Sequence, residues 1–87
     1  MNFSYILIKR NNQTFFIPVS PVTTFHEIKV EISKALNDIT PPDNMKLYRE
    51  EKEVMDAATC ADHEIKCSDL LYVVFNGETL EAVKNES

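Results

Sequence analysis

Residues 24–38 constrain the fold most, because their side chains follow the pattern of an amphipathic helix. Thr24 and Glu27 have the spacing of a capping box, in which the two side chains satisfy free N–H groups of the first helical turn. Polar residues fill one side of the predicted helix, and the other side needs an apolar surface to cover it. That apolar stripe consists of Phe25, Ile28, Ile32, Ala35, Leu36 and Ile39.

The segments before this helix predict a β-hairpin. Residues 4–9 and 15–19 are rich in β-branched and aromatic side chains, and the polar residues 11–13 separate them. Pro18 cannot donate a hydrogen bond to a neighbouring strand, so the second strand is expected at an edge of the sheet.

After the helix, the sequence predicts three further strands. Pro41 and Pro42 force an extended break, since the residue before a proline avoids helical angles. A short helix or a series of turns is expected between the second and third of these strands, and a brief element after the last one. The strands are expected at residues 44–49, 54–55 and 70–75, and the brief element at residues 79–83.

This order of elements predicts an α+β fold with a mixed four- to five-stranded sheet and one main helix packed on one face. The first and last strands are almost continuously apolar, which is typical of parallel central strands. Such an order is that of a β-grasp fold. A chain of 87 residues forms one domain, assigned to residues 1–83, and residues 84–87 are a polar tail.

The charge of the chain argues against two classes of partner. Its 14 acidic and 9 basic residues give a net charge of −5, and the basic residues are scattered. Nucleic acids and anionic membranes require a concentrated positive surface, so neither is expected as a partner. There is no apolar run of about 18 residues and no secretion signal at the start, so we expect the protein in the nucleus and cytoplasm.

Cys60, His63 and Cys67 have the spacing C-x2-H-x3-C and are three possible ligands for a structural zinc site, which needs four. The fourth ligand is missing, because His26 lies far away in the sequence. The simpler interpretation is a buried apolar Cys60 and a half-exposed Cys67. We therefore expect no metal.

No sequence motif predicts catalysis or a cofactor. The chain has no Gly-rich phosphate loop and no G-x-S-x-G motif. Glu50, Glu51 and Glu53 form an acidic cluster, but it falls in a predicted exposed turn where nothing would raise a carboxyl pKa. We expect a protein without enzymatic activity.

The strands carry more apolar residues than one helix can cover. Residues 4–9, 15–19 and 70–75 place large apolar side chains on both faces of the predicted sheet. An exposed apolar surface of several hundred Å² on a small protein usually marks an interface. The sequence therefore predicts a binding protein.

The order and spacing of several motifs resemble the ubiquitin superfamily. These motifs are the Thr24 cap, the phase of Phe25, Ile28 and Ile32, the Pro41-Pro42-Asp43 break, Lys46-Leu47-Tyr48, and residues 59–65. Within that superfamily, the chain is most similar to the elongin B family. The similarity to elongin B lies in Ile8-Lys9-Arg10, Leu47-Tyr48-Arg49-Glu50-Glu51, Phe75 and the Glu78-Thr79-Leu80-Glu81-Ala82-Val83 ending.

The resemblance implies which side chains face the helix and which face a partner. It places Ile6, Ile8, Phe15, Ile17, Phe25, Ile28, Ile32, Leu36 and Leu47 in the core. It places Tyr5, Leu7, Phe16, Tyr48, Leu71 and Val73 on the opposite face, and Pro41, Pro42 and Leu80 near partner contacts. The chain lacks the terminal Gly-Gly of a conjugated modifier.

The resemblance implies a non-catalytic adaptor that binds and stabilises an elongin C-like subunit as a heterodimer. Such an adaptor serves cullin-type ubiquitin ligases with their substrate-receptor subunits, and transcription elongation complexes. The alternative is a ubiquitin-like domain that proteasome or ubiquitin receptors recognise through Tyr48, Leu71 and Val73.

Overall fold

The computed structural model describes residues 4–84. Five strands form one sheet, and one α-helix packs on each of its two faces. The expected tail lies largely outside the described residues, and Lys84 belongs to the second helix. Two 3-10 turns cover Pro42–Asn44 and Ala61–His63. The main elements are β1 (Ser4–Arg10), β2 (Gln13–Val19), α1 (Phe25–Ala35), β3 (Met45–Arg49), β4 (Lys52–Val54), β5 (Leu70–Phe75) and α2 (Leu80–Lys84).

The sheet has the strand order β2-β1-β5-β3-β4. β1 and β5 are parallel and lie side by side near the centre, while the other neighbours are antiparallel. The predicted α+β class, with a mixed sheet and one main helix, is confirmed. β2 lies at an edge, as the presence of Pro18 predicted.

The N-terminus of α1 has the predicted capping box. The Thr24 hydroxyl accepts a hydrogen bond from the Glu27 N–H at 3.2 Å, and the Glu27 carboxylate accepts one from the Thr24 N–H at 2.9 Å. The hydrogen bond from the Thr24 backbone is the main reason why the pKa of Glu27 is lowered. The helix also begins against the loop after β4, because the Phe25 N–H donates to the Ala58 carbonyl at 3.1 Å.

The helix ends at Ala35, earlier than the predicted Asp38. Asn37 and Asp38 both adopt left-handed backbone angles, with φ of 57° and 61°. Asn and Asp tolerate this region better than most residues, and the Asp38 N–H closes the turn on the Ser33 carbonyl at 2.9 Å. The chain leaves the helical path here, so Ile39 is 81% exposed and does not belong to the apolar stripe.

The main core lies between the sheet and α1. Phe25, Ile28 and Ile32 are fully buried against the strands. The predicted core residues are confirmed there. Ile6, Ile8, Ile17 and Leu47 are buried with the helix residues, and Phe15 and Leu36 are partly buried against them.

The predicted facing of β5 is wrong. Leu71 and Val73 are fully buried in the main core, where they pair in register with Ile8 and Leu47. Successive strand residues point to opposite faces, so Leu70, Tyr72 and Val74 take the other face. Every residue of β5 is apolar, so its sequence has no alternation that could distinguish two registers one residue apart.

The second helix, α2, covers one end of the sheet on the face opposite α1. Val74 and Val83 are 4% and 1% exposed, yet neither belongs to the main core cluster. The Asn11 N–H donates to the Val83 carbonyl at 3.0 Å, which joins α2 to the β1–β2 turn. A five-residue helix is too short to be stable in isolation, so this packing must hold it in place.

Replacing Leu71 and Leu70 separately by alanine tests the facing of β5. We expect Leu71→Ala to lower the free energy of unfolding by about 2–5 kcal/mol, because it leaves a cavity in the main core. We expect Leu70→Ala, at a partly solvent-exposed position, to cost below about 1.5 kcal/mol. Urea unfolding followed by circular dichroism measures both values, and a larger loss for Leu70→Ala would show that the register is the reverse.

Candidate functional site

The candidate site lies on the sheet face opposite α1, called the outer face here. Four of its side chains form an apolar patch: Tyr5 and Leu7 of β1, Phe16 of β2 and Leu70 of β5. The register places Leu7 directly beside both Phe16 and Leu70. Phe16 is 66% exposed, Tyr5 41% and Leu70 38%, while Leu7 is half-buried among them.

Two aromatic rings define the outer edge of the apolar patch. The ring centroids of Tyr5 and Phe16 are 6.0 Å apart and their planes are tilted by 41°. This separation is within the range of favourable aromatic pairs, so each ring restricts the other while both remain in contact with water. Aromatic side chains have few rotatable bonds, so burying these two rings in an interface would cost little conformational entropy.

A groove of about 720 Å³ continues the apolar patch across the outer face. Its floor includes Leu70, which also belongs to the patch, and Tyr72. Tyr72 pairs in register with Tyr48 of β3, and the Lys84 ammonium group lies 5.7 Å from the Tyr72 ring centroid. The groove walls are Arg49, Glu50, Glu51, Lys52 and Lys84, so charged groups border an apolar floor.

A polar cluster around Glu78 lies just before the start of α2. The Glu78 carboxylate accepts hydrogen bonds from Arg10 Nε at 3.2 Å and from the Phe75 N–H at 2.9 Å. It also forms an ion pair with the second guanidinium nitrogen of Arg10. Arg10 lies 4.3 Å from the centroid of the Phe75 ring, so the guanidinium group contacts the ring and the carboxylate together.

The ionisation of Glu78 reflects this cluster. Partial burial favours the neutral acid, but the hydrogen bonds from Arg10 and Phe75 and the positive charge of Arg10 outweigh it, so the pKa of Glu78 is lowered. The ionised form is therefore the one that the folded state stabilises.

The structure brings four of the predicted partner-binding residues to the outer face. Tyr5, Leu7, Phe16 and Tyr48 lie there in register, as expected. Leu71 and Val73 do not, because both are fully buried on the α1 side and have no surface to offer a partner.

The three remaining predicted contacts are divided between two places. Pro41 and Pro42 lie at the 3-10 turn that packs beside α1, so they are not part of the outer face. Leu80 is half-buried in α2 and lines a smaller groove together with Glu51 and Lys84.

Sequence reasoning missed Leu70 and Tyr72 as outer-face residues. No signal within residues 70–75 could have identified them, because all six residues are apolar. Only the pairing of β5 with β1 and β3 assigns them to the outer face.

The side chains of the C-x2-H-x3-C segment are not brought together as a set of ligands. Within residues 4–84, no three His, Cys, Asp or Glu side chains come together in a group that could hold a metal ion. Cys60 is buried, which raises its pKa, whereas Cys67 is exposed. The His63 ring instead packs edge-on against Phe25, with centroids 5.4 Å apart.

Comparisons with known proteins supply no family assignment. No model of a known protein family matches the chain, and no curated protein sequence matches it. Neither helix in the described part of the chain is long and apolar enough to cross a membrane.

The polar cluster predicts a pH-dependent contribution to stability. Because the folded-state pKa of Glu78 is depressed, its stabilising effect is complete above its usual value near 4.5 and is lost as pH falls through the lowered folded-state value. At neutral pH we expect Glu78→Gln to lower the free energy of unfolding by about 1 kcal/mol.

Urea unfolding of both proteins between neutral and acid pH measures this effect. We expect the difference between wild type and Glu78→Gln to shrink at the acid end. Glu81→Gln is the matched control, because Glu81 is an exposed carboxylate in α2 itself and lies outside the polar cluster. A difference that stays constant with pH would contradict the assigned role of Glu78.

Proposed function

We propose that this chain is a non-catalytic ubiquitin-like adaptor that binds an elongin C-like subunit through the apolar patch. The observation that carries the proposal is the contiguous exposure of Tyr5, Phe16 and Leu70 around Leu7 on a face that α1 does not cover. Small soluble proteins seldom leave such a surface in water without a partner.

The arrangement of elements supports the fold part of the proposal. A mixed five-stranded sheet with β1 parallel to β5 and one main helix on one face is consistent with a β-grasp fold. The resemblance to the ubiquitin superfamily includes the cap at Thr24 and the spacing of Phe25, Ile28 and Ile32. The structure has the capping box, and all three apolar residues are buried.

The proposed mechanism is the mutual covering of apolar surface. Burying about 500 Å² of apolar area contributes on the order of 12 kcal/mol before the costs of association are subtracted. By covering the corresponding surface of an elongin C-like subunit, the adaptor would stabilise that subunit in a form to which substrate receptors can dock. The proposed setting is a cullin-type ubiquitin ligase, and also a transcription elongation complex, in the nucleus and cytoplasm.

The position of α2 narrows the proposed interface. Because this helix covers Val74 at one end of the outer face, the partner is left with the exposed side chains around Leu7 and Leu70 and with the adjoining groove above Tyr72. The proposed contacts are therefore Tyr5, Leu7 and Phe16, as the sequence predicted, together with Leu70 and Tyr72.

The alternative function loses two of its three predicted contacts. Recognition by ubiquitin receptors was expected through Tyr48, Leu71 and Val73, and the last two are fully buried. The proposal of a heterodimeric adaptor needs neither residue, so it is the function that the exposed surface supports better.

Binding of a recombinant elongin C-like subunit tests the proposal. We expect the wild-type chain to form a one-to-one complex, measured by calorimetry and size-exclusion chromatography. We expect Phe16→Asp to weaken binding by about 30-fold or more, the effect of losing a central apolar contact. Val22→Asp is the matched control, because Val22 is 77% exposed in the turn before α1, outside the apolar patch.

Two outcomes would contradict the proposal. If the wild-type chain does not bind the elongin C-like subunit, the adaptor function is wrong. If Phe16→Asp binds as tightly as Val22→Asp, the apolar patch is not the contact surface. Circular dichroism of each variant verifies that a loss of binding is not a loss of fold.

A further inference from the structure

The turn between β5 and α2 contains the single glycine of the chain, preceded by an asparagine. The Glu78 N–H donates to the Phe75 carbonyl at 3.0 Å and closes this turn around Asn76 and Gly77. Gly77 has a φ of +87°, and no heavy atom outside Gly77 and its two neighbours in the chain lies within 4 Å of the position that a Cβ would occupy. Both turn residues are exposed.

The Gly77 nitrogen is accessible for reaction. Within residues 4–84, no hydrogen bond uses the Gly77 N–H, whereas the N–H groups of Asn76 and Glu78 on either side are both bonded. The absence of a Cβ leaves the approach to this nitrogen open. Asparagine is among the thermally labile residues, and its side-chain amide can be attacked by the nitrogen of the following residue.

We propose that Asn76 is a site of spontaneous deamidation and that its product loosens the attachment of α2 to the outer face. The Gly77 nitrogen loses its proton to water or hydroxide and bonds to Cγ of Asn76, which closes a five-membered succinimide ring. The Cγ–Nδ2 bond breaks, and the nitrogen takes up a proton and leaves as ammonia. Water then opens either side of the ring and gives aspartate or isoaspartate, with no change of oxidation state.

A hydrogen bond to Asn44 is expected to slow this reaction. Asn76 Nδ2 donates a hydrogen bond to Asn44 Oδ1 at 2.9 Å, and the Asn76 N–H donates to the Asn44 carbonyl at 2.9 Å. Ring closure requires the Asn76 side chain to fold back over the Gly77 nitrogen. The side-chain bond to Asn44 competes with that movement, so the lifetime of Asn76 depends on a residue 32 positions away in sequence.

The product would act on α2 through Glu78. Isoaspartate adds a methylene group to the main chain two residues before Glu78, whose carboxylate must reach both Arg10 and the Phe75 N–H. A displaced Glu78 weakens the cluster that fixes the start of α2. The Asn11 amide, which is bonded to the Val83 carbonyl, then becomes more open to solvent.

Incubation of the purified chain at mildly alkaline pH, followed by peptide mass spectrometry, tests the proposal. We expect the peptide that contains Asn76 to gain the mass difference between an amide and an acid, with an isoaspartate form resolved by chromatography. Asn44→Ala should accelerate the reaction severalfold, and Asn76→Gln should abolish it. Asn12 and Asn37 are internal controls, because each is exposed but is not followed by glycine.

Hydrogen exchange of the aged protein tests the second part of the proposal. We expect the Asn11 amide to exchange severalfold faster in the deamidated fraction than in fresh protein or in Asn76→Gln treated in the same way. No mass change at Asn76 would overturn the proposed deamidation site. An equal reaction rate with and without the Asn44 side chain would overturn the slowing effect of the hydrogen bond to Asn44. Unchanged exchange at Asn11 would overturn its effect on α2.

Discussion

The structure depends on two parallel central strands that are apolar on both faces. β1 and β5 each carry large side chains at successive positions, and only one face of the sheet packs against α1. Burial of that face forms the core around Ile8, Leu71 and Val73. The same continuous apolar composition leaves the outer face with side chains that α1 cannot reach, so the chain must cover them in another way.

The two ends of the outer face differ in how their apolar side chains are covered. At one end α2 covers Val74, although so short a helix gains little from its own hydrogen bonds and depends on Val83 and on the Arg10–Glu78 cluster for its position. At the other end nothing in the described chain covers Phe16, and that end is the proposed contact for a partner.

The candidate site could be predicted only in part from the sequence. Pro18 assigned β2 to an edge, and the resemblance to the ubiquitin superfamily implied the outer-face positions of Tyr5 and Phe16, which the pairing of β1 with β2 bears out. The six apolar residues of β5 carry no signal that fixes their facing. A shift of one residue exchanges Leu70 and Tyr72 with Leu71 and Val73, and the prediction chose the wrong set.

The sequence by itself determined the order of the elements, the start of α1 and the side of α1 that is buried, because capping and helical periodicity are local properties. It did not determine where α1 ends, since the left-handed Asn37 and Asp38 replaced an expected further turn. Only the tertiary structure decided the facing of β5 and the placement of α2. Both depend on pairing and packing between residues far apart in the chain, which a local pattern does not encode.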